Sequence, residues 1–311
     1  MGYKKKIFLT LVVLLLPLLV FADDGQNMKR AITVFDLLLS SKYVVGFIIA
    51  LIGIGLIWAK KLDNTMRITF LIIAFFLFAV FALFQEMMPF AAGFGLHPSP
   101  VCTITKPFMF GLRTPFAAGL IFIGVLSLIS AKGFCGSICP AGALQELFYK
   151  APAFKKIKRK KVPFVISNTI RILIFVLFLV ILFTIGFNIY GYLSLFELFH
   201  WYFAIPLIDL ILFIFVIGAI LIASFFSFRP FCYFICPIGL VTWIIERLPI
   251  LKIRLDMNKC THCDICKEVS PCNAVGDLVD EKKIISDCHI CGSCIEDCPE
   301  DAFYFGLKKS Q

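Results

Sequence analysis

Eight of the thirteen cysteines lie in the last stretch of the chain, at Cys260, Cys263, Cys266 and Cys272, then Cys288, Cys291, Cys294 and Cys298, with Pro299 following. Cys260, Cys263 and Cys266 form one C-x2-C-x2-C run, and Cys288, Cys291 and Cys294 form a second. A cuboidal [4Fe-4S] cluster needs four thiolates aimed at one centre. A tight C-x2-C-x2-C loop supplies three, and the fourth comes from the other half of a two-cluster fold. The spacing therefore predicts Cys260, Cys263, Cys266 and Cys298 on cluster 1, and Cys288, Cys291, Cys294 and Cys272 on cluster 2. The chemistry is one-electron carriage.

The second run follows the bacterial ferredoxin pattern through Pro299. The first departs from it: five residues separate Cys266 from Cys272, and Pro271 precedes that cysteine. The departure bears on Cys272 and so on cluster 2. Zinc sites usually pair C-x2-C knuckles across a longer gap, which these triplets do not match. Disulfides are a matter of compartment.

The remainder of the chain must anchor these residues. Hydrophobic residues make up 60% of the 311, including 36 Phe, against about half in an ordinary soluble domain. The excess lies in uncharged runs at Ile7–Ala22, Tyr43–Ala59, Ile68–Phe84, Pro115–Ala131, Ile172–Phe196 and Leu210–Phe228. About 20 apolar residues cross the hydrocarbon core, with ~17 as the minimum. Five runs qualify, and Ile7–Ala22 is borderline. The expected fold is an α-helical integral membrane protein of five or six spanning helices, with a small α+β ferredoxin-like domain at the C-terminus.

Residues 1–22 read as a signal peptide or an N-terminal anchor: a basic start at Lys4–Lys6, an apolar run, and Val20-Phe21-Ala22 before Asp23. Residues 23–250 form the membrane domain and 251–311 the cluster domain, with short strands expected at Lys252–Leu255, Lys283–Ile285 and Phe303–Phe305. Lys60, Lys61, Arg67, Lys132 and the Lys155–Lys161 cluster fall on alternate loops, which places those loops and the tail in the cytoplasm by the positive-inside rule. The location is then the inner membrane, and the tail thiols stay reduced. The net charge of +10 reads as topology and contact with anionic headgroups of the bilayer. No nucleic-acid recognition motif accompanies it.

Four further cysteines occur in a duplicated motif. Phe134-Cys135-x-x-Ile138-Cys139-Pro140-x-Gly142 returns 97 residues later as Phe231-Cys232-x-x-Ile235-Cys236-Pro237-x-Gly239. At the same offset Ser130 meets Ser227 and Lys132 meets Arg229. The repeats, about 115–152 and 212–249, suggest two similar halves. Each motif is expected at the cytoplasmic side, ending a loop and opening a short interfacial helix at its Pro. Cys135, Cys139, Cys232 and Cys236 then form one metal or redox site: a third iron–sulfur centre, a pair of redox dithiols or another metal.

Several spanning helices, two C-x3-C-P motifs and a C-terminal double-cluster domain together resemble the NapH/NosR family of membrane iron–sulfur proteins, which includes the FixG/CcoG-type polyferredoxins. The resemblance covers most of Pro115–Gln311. It implies membrane electron transfer, often as quinol dehydrogenation that feeds a redox partner subunit. Asp23–Lys42 is too short for the flavin-bearing domain of NosR, so the arrangement is closer to the NapH-like one.

Quinol oxidation needs a group that takes protons. Glu86, His97 and, three residues apart, Glu197 and His200 are candidates on the outer side; Trp201 and Tyr202 fit an interfacial aromatic belt. Cys102 reads as a loop thiol. Cytoplasmic clusters leave about 30 Å of hydrocarbon between themselves and an outer acceptor, and no C-x-x-C-H haem motif bridges it. The function expected is electron transfer between quinone or a partner and the clusters. The alternatives are a quinol dehydrogenase in its own right and a copper reductase or assembly factor using the C-x3-C-P cysteines.

Overall fold

The computed structural model describes residues 34–60, 63–80, 98–151, 161–199, 207–246, 248–282 and 285–307. The run Ile7–Ala22, Glu86, His97, Lys155–Lys160, His200, Trp201 and Tyr202 lie outside the described residues.

The chain is mostly helical. A short α1 (Val34–Leu38) leads into α2 (Ser41–Trp58). Helix α3 (Asn64–Phe75) is capped by the Asp63 carboxylate, which accepts from Met66 N, and runs on through a π turn at Phe76–Val80. Then come α4 (Pro100–Thr105), α5 (Pro107–Phe110) and α6 (Thr114–Ser130). The first C-x3-C-P motif forms α7 (Gly133–Ser137) and opens α8 (Pro140–Lys150). Then follow α9 (Phe164–Ile185), α10 (Tyr190–Leu193), a 3-10 turn at Leu195–Phe199, α11 (Leu207–Phe226), and the second C-x3-C-P motif in α12 (Pro230–Phe234) and the start of α13 (Pro237–Ile245).

Among the described residues three helices are long and apolar enough to cross a membrane: Ser41–Trp58, Phe164–Ile185 and the Asp209–Phe226 part of α11. Asn64–Val80 and Thr114–Ser130 are apolar but shorter. Helices α9 and α11 turn Phe183, Ile185 and Phe215 outward. That exposure suits a hydrocarbon solvent and no aqueous one. The run Ile172–Phe196 is not one helix. Helix α9 starts earlier, tolerates Arg171 because that residue is ion-paired inside, and stops at Gly186, whose left-handed conformation ends the helix. The chain after Gly186 turns back into the protein.

The tail is a two-stranded antiparallel sheet, β1 (Lys252–Leu255) and β2 (Phe303–Gly306), in register Lys252 to Gly306 and Leu255 to Phe303. Three short helices lie between the strands: α14 (Ile265–Val269), α15 (Ala274–Val279) and α16 (Ser293–Glu296). Ile285 lies in no strand, and the rest of that expected third strand is outside the described residues. The tail packs on the Trp58 end of α2. Ile54 and Ile57 share a core with Phe303 and Phe305, and Lys60 pairs with Asp301 at 2.7 Å.

Candidate functional site

Each C-x3-C-P motif is built alike. The chain reverses before each motif at a residue with positive φ: Ala131 (53°), directly after α6, and Arg229 (48°), three residues beyond the end of α11. Cys139 and Cys236 are the N-caps of α8 and α13, with Pro140 and Pro237 in the first turn, as the motif predicts. The backbone N–H of Gly142 donates to Cys139 Sγ at 3.4 Å. The four cysteines are buried in one core. Cys139 faces Cys232, Cys135 and Cys236, and Cys236 faces Cys232 and Cys135. Gln145 Nε2 donates to Cys232 Sγ at 3.7 Å.

The following helices do not lie along an interface. Helix α8 packs between α3 and α11 and buries Gln145 and Glu146 completely. The reason is charge pairing. Glu146 accepts from Arg67 Nε and Nη2, both at 3.1 Å, and from Arg229 Nη2 at 2.5 Å. A second buried group mirrors it: Asp287 meets Arg171 at 2.8 Å and Lys132 at 2.6 Å. Arg229 also donates to Cys135 O at 2.6 Å, and Arg171 to Cys232 O at 3.2 Å. The position 97 residues after Glu146 is Trp243, which cannot carry the charge. The tail supplies it through Asp287.

Gly142 and Gly239 make room for these guanidinium groups. A Cβ at Gly142 would stand 2.8 Å from Arg229 Nη1, and one at Gly239 would stand 2.6 Å from Arg171 Nη1.

In the tail, one cavity is lined by Cys260, Cys263, Cys266 and Cys298 with Val279, Pro299, Ala302 and Phe303. Burial pushes the Cys266 thiol up, and Cys298, Cys260 and Cys263 add to it. The second predicted quartet also meets. Burial raises Cys272 to about 12, with Cys291 reinforcing it. Burial likewise raises Cys288 and Cys294, which face Cys272 and Cys291. The long spacing before Cys272 has not moved it from its place. Cys263 is exposed, whereas Cys272, Cys291 and Cys294 are buried.

The donor set fits iron–sulfur clusters: four sulfurs per group, in a mostly apolar surround. Among the described residues no three His, Cys, Asp or Glu side chains gather tightly enough to share a single ion. A four-iron cube sets its thiolates farther apart than a lone tetrahedral ion, with Zn–S near 2.3 Å, does.

Glu197 lies in the 3-10 turn, where burial raises its carboxyl and Lys106 partly offsets this. Cys102 is buried in α4, in the same neighbourhood as Glu197 and Lys106. It is a packed thiol rather than a loop one. A cavity of about 290 Å³ beside Cys272, walled by Tyr149, Lys161, Ser227, Phe228, Tyr233 and Ser270 among others, has no clear sequence signal. Neither do the buried charged groups, apart from the Lys132–Arg229 match in the repeat.

Comparison with known proteins agrees with the geometry. A family model described as a 4Fe-4S binding domain matches twice, at residues 112–161 and 208–256, on the two C-x3-C-P segments. An uncharacterized protein of Methanocaldococcus jannaschii is 32% identical over 200 residues, 62% of this chain and 80% of the relative. The ferredoxin-type protein NapH of Escherichia coli is 28% identical over 201 residues, 60% of this chain and 66% of NapH. YccM of the same organism is 24% identical over 216 residues, 62% of this chain and 57% of YccM. No solved structure matches the chain. Duplicated 4Fe-4S binding segments, helices fit to cross a membrane and these relatives identify the chain as a member of the NapH-like family of membrane iron–sulfur electron-transport proteins.

Proposed function

We propose that the chain is an inner-membrane electron-transfer protein with three four-cysteine iron–sulfur centres, exchanging electrons with quinone or with a redox partner subunit. The carrying observation is that twelve of the thirteen cysteines fall into three groups of four. Cys260, Cys263, Cys266 and Cys298 hold centre 1. Cys272, Cys288, Cys291 and Cys294 hold centre 2. Cys135, Cys139, Cys232 and Cys236, inside the family-matched segments, hold centre 3. Each centre, when bound, takes up and releases one electron at a time.

The chain's own residues do the rest. They bury the sulfurs, which disfavours the reduced, more negative state, and they offset this with N–H donors, as Gly142 supplies to Cys139, and with nearby cations, both of which favour it. Residues 23–250 form a membrane domain of two repeated halves with five or six spans, and 251–311 form a cytoplasmic cluster domain. Glu197 and His200 remain candidates for the proton-taking side of a quinone site. The cavity beside Cys272 is a second candidate, with a volume near the lower end of small-molecule pockets, ~300 Å³.

Anaerobic purification with iron and sulfide counting tests the proposal. About twelve Fe per chain supports three centres, and about eight limits the protein to two.

A further inference from the structure

The first C-x3-C-P motif starts where the tail meets the helices, with Gly136 against the His289 carbonyl, and reaches inward from there. Ser137 packs on Gly53 and Ile138 on Gly46, both in α2. At 1.5 Å per residue, those glycines lie about 7 Å in from the Trp58 and Ser41 ends. The first motif is therefore at mid-height on a helix about 27 Å long. Arg171, which holds the second motif's Cys232 carbonyl, is likewise about 10 Å from one end of α9 and about 21 Å from the other. The positive-φ reversals at Ala131 and Arg229 send both motifs back among the helices.

Two segments meet the site from the opposite end. After Gly186 the chain returns, and the Tyr190 hydroxyl donates to Ile235 O at 3.1 Å, between Cys232 and Cys236. Helix α4 packs on α13, and the 3-10 turn packs on α8. Val101, Ile104, Leu195 and Phe196 share one core with the four cysteines. On the tail side, the His289 carbonyl presses on the first motif. A Cβ at Gly136 would come within 2.5 Å of it, and the neighbouring Cys288 is a centre 2 ligand in the reading above.

The charges agree. Among the described residues, Arg67, Arg171, Arg229 and Lys132 are buried against two buried carboxylates, Glu146 and Asp287, with Glu246 and Lys150 part-exposed at the margin: a surplus of two cations among the buried groups. Unbalanced charge at membrane depth is costly. Four thiolates on an oxidised [4Fe-4S] core carry a net charge of about −2, which balances it.

We infer that Cys135, Cys139, Cys232 and Cys236 place their centre at mid-depth in the bilayer, between the tail and two re-entrant segments, so that the protein passes electrons through the membrane rather than along one face. This rests on the third centre of the proposed function. It divides the gap of about 30 Å that clusters confined to the tail side would leave into two steps of about 15 Å.

The test uses the purified full chain in liposomes that enclose ferricyanide, with titanium(III) citrate added outside and valinomycin with potassium present to collapse the membrane potential. Each titanium(III) gives one electron and each ferricyanide takes one. Proteins inserted tail-outward should reduce the enclosed ferricyanide, and Cys232→Ser should slow this by tenfold or more. Separately, an impermeant dysprosium chelate on either side should relax the EPR signal of the C-x3-C-P centre less than that of the exposed Cys263 centre. A chain with about twelve Fe that reduces external but not enclosed ferricyanide overturns the mid-depth inference and leaves the third centre standing. So does equal relaxation of both signals from the tail side. About eight Fe in the wild type, unchanged in Cys232→Ser, removes the third centre itself.

Discussion

Arg171, in the long apolar helix α9, and Asp287, one residue before Cys288 in the tail, form a fully buried ion pair at 2.8 Å. The pair joins the two parts of the protein at the C-x3-C-P site, because the same guanidinium holds the Cys232 carbonyl. Two buried carboxylates each bridge a pair of cations: Glu146 joins Arg67 to Arg229, and Asp287, from the tail, joins Arg171 to Lys132.

Replacing Asp287 with Asn takes from Arg171 its carboxylate partner and leaves Lys132 only the longer contact to Glu246 at 3.9 Å. Removing one partner of such a group costs about 3–5 kcal/mol. The tail of Asp287→Asn should become sensitive to limited proteolysis between Leu251 and Phe305. Wild-type resistance in this variant would show that the pair does not fasten the tail.

The cysteine quartets give a second prediction. Cys263→Ser and Cys291→Ser should each lose about four Fe and one EPR signal, and the two lost signals should differ. Cys272→Ser should remove the same signal as Cys291→Ser. If it instead removes the Cys263 signal, or none, the quartets are assigned wrongly.

Gly142→Ala and Gly239→Ala should both destabilise, by about 1–3 kcal/mol as overpacking does. The larger loss belongs to Gly239, where the added Cβ meets a backbone atom, Cys232 O, at 2.8 Å; the matching distance at Gly142 is 3.1 Å. Thermal unfolding in detergent, followed by loss of cluster absorbance, ranks them.

Asp277 provides the pH dependence. Burial alone would raise its carboxyl, but bonds from Lys282 and Ser286 outweigh this and hold it below the ordinary value. A depressed folded pKa gives stability that is complete above the unfolded value, about 3.9, and lost as pH falls through the folded one. Wild type minus Asp277→Asn, measured as the urea midpoint from pH 6 to pH 3, should be constant at first and shrink below about pH 4. A difference that grows on acidification would reverse the assignment.

Much of this was legible in the residues. Cysteine spacing alone proposes the two tail quartets, since three thiolates on one loop must come from nearby positions. Apolar runs marked the helices, and the repeated C-x3-C-P motif marked its two matching turns, because caps and first-turn prolines are local devices. The run Ile172–Phe196 misled because a chain that turns at Gly186 and re-enters an apolar core is as hydrophobic as one that continues straight.

The burial of the C-x3-C-P cysteines in one core and the pairing of Asp287 were decided only by the tertiary structure. A cysteine or carboxylate has the same local sequence whether its motif ends at the membrane surface or folds back between helices. Which cation it meets depends on contacts more than one hundred residues apart, as between Arg171 and Asp287. Local sequence sets what each segment can form, and long-range packing of buried charge sets where the segments come to rest.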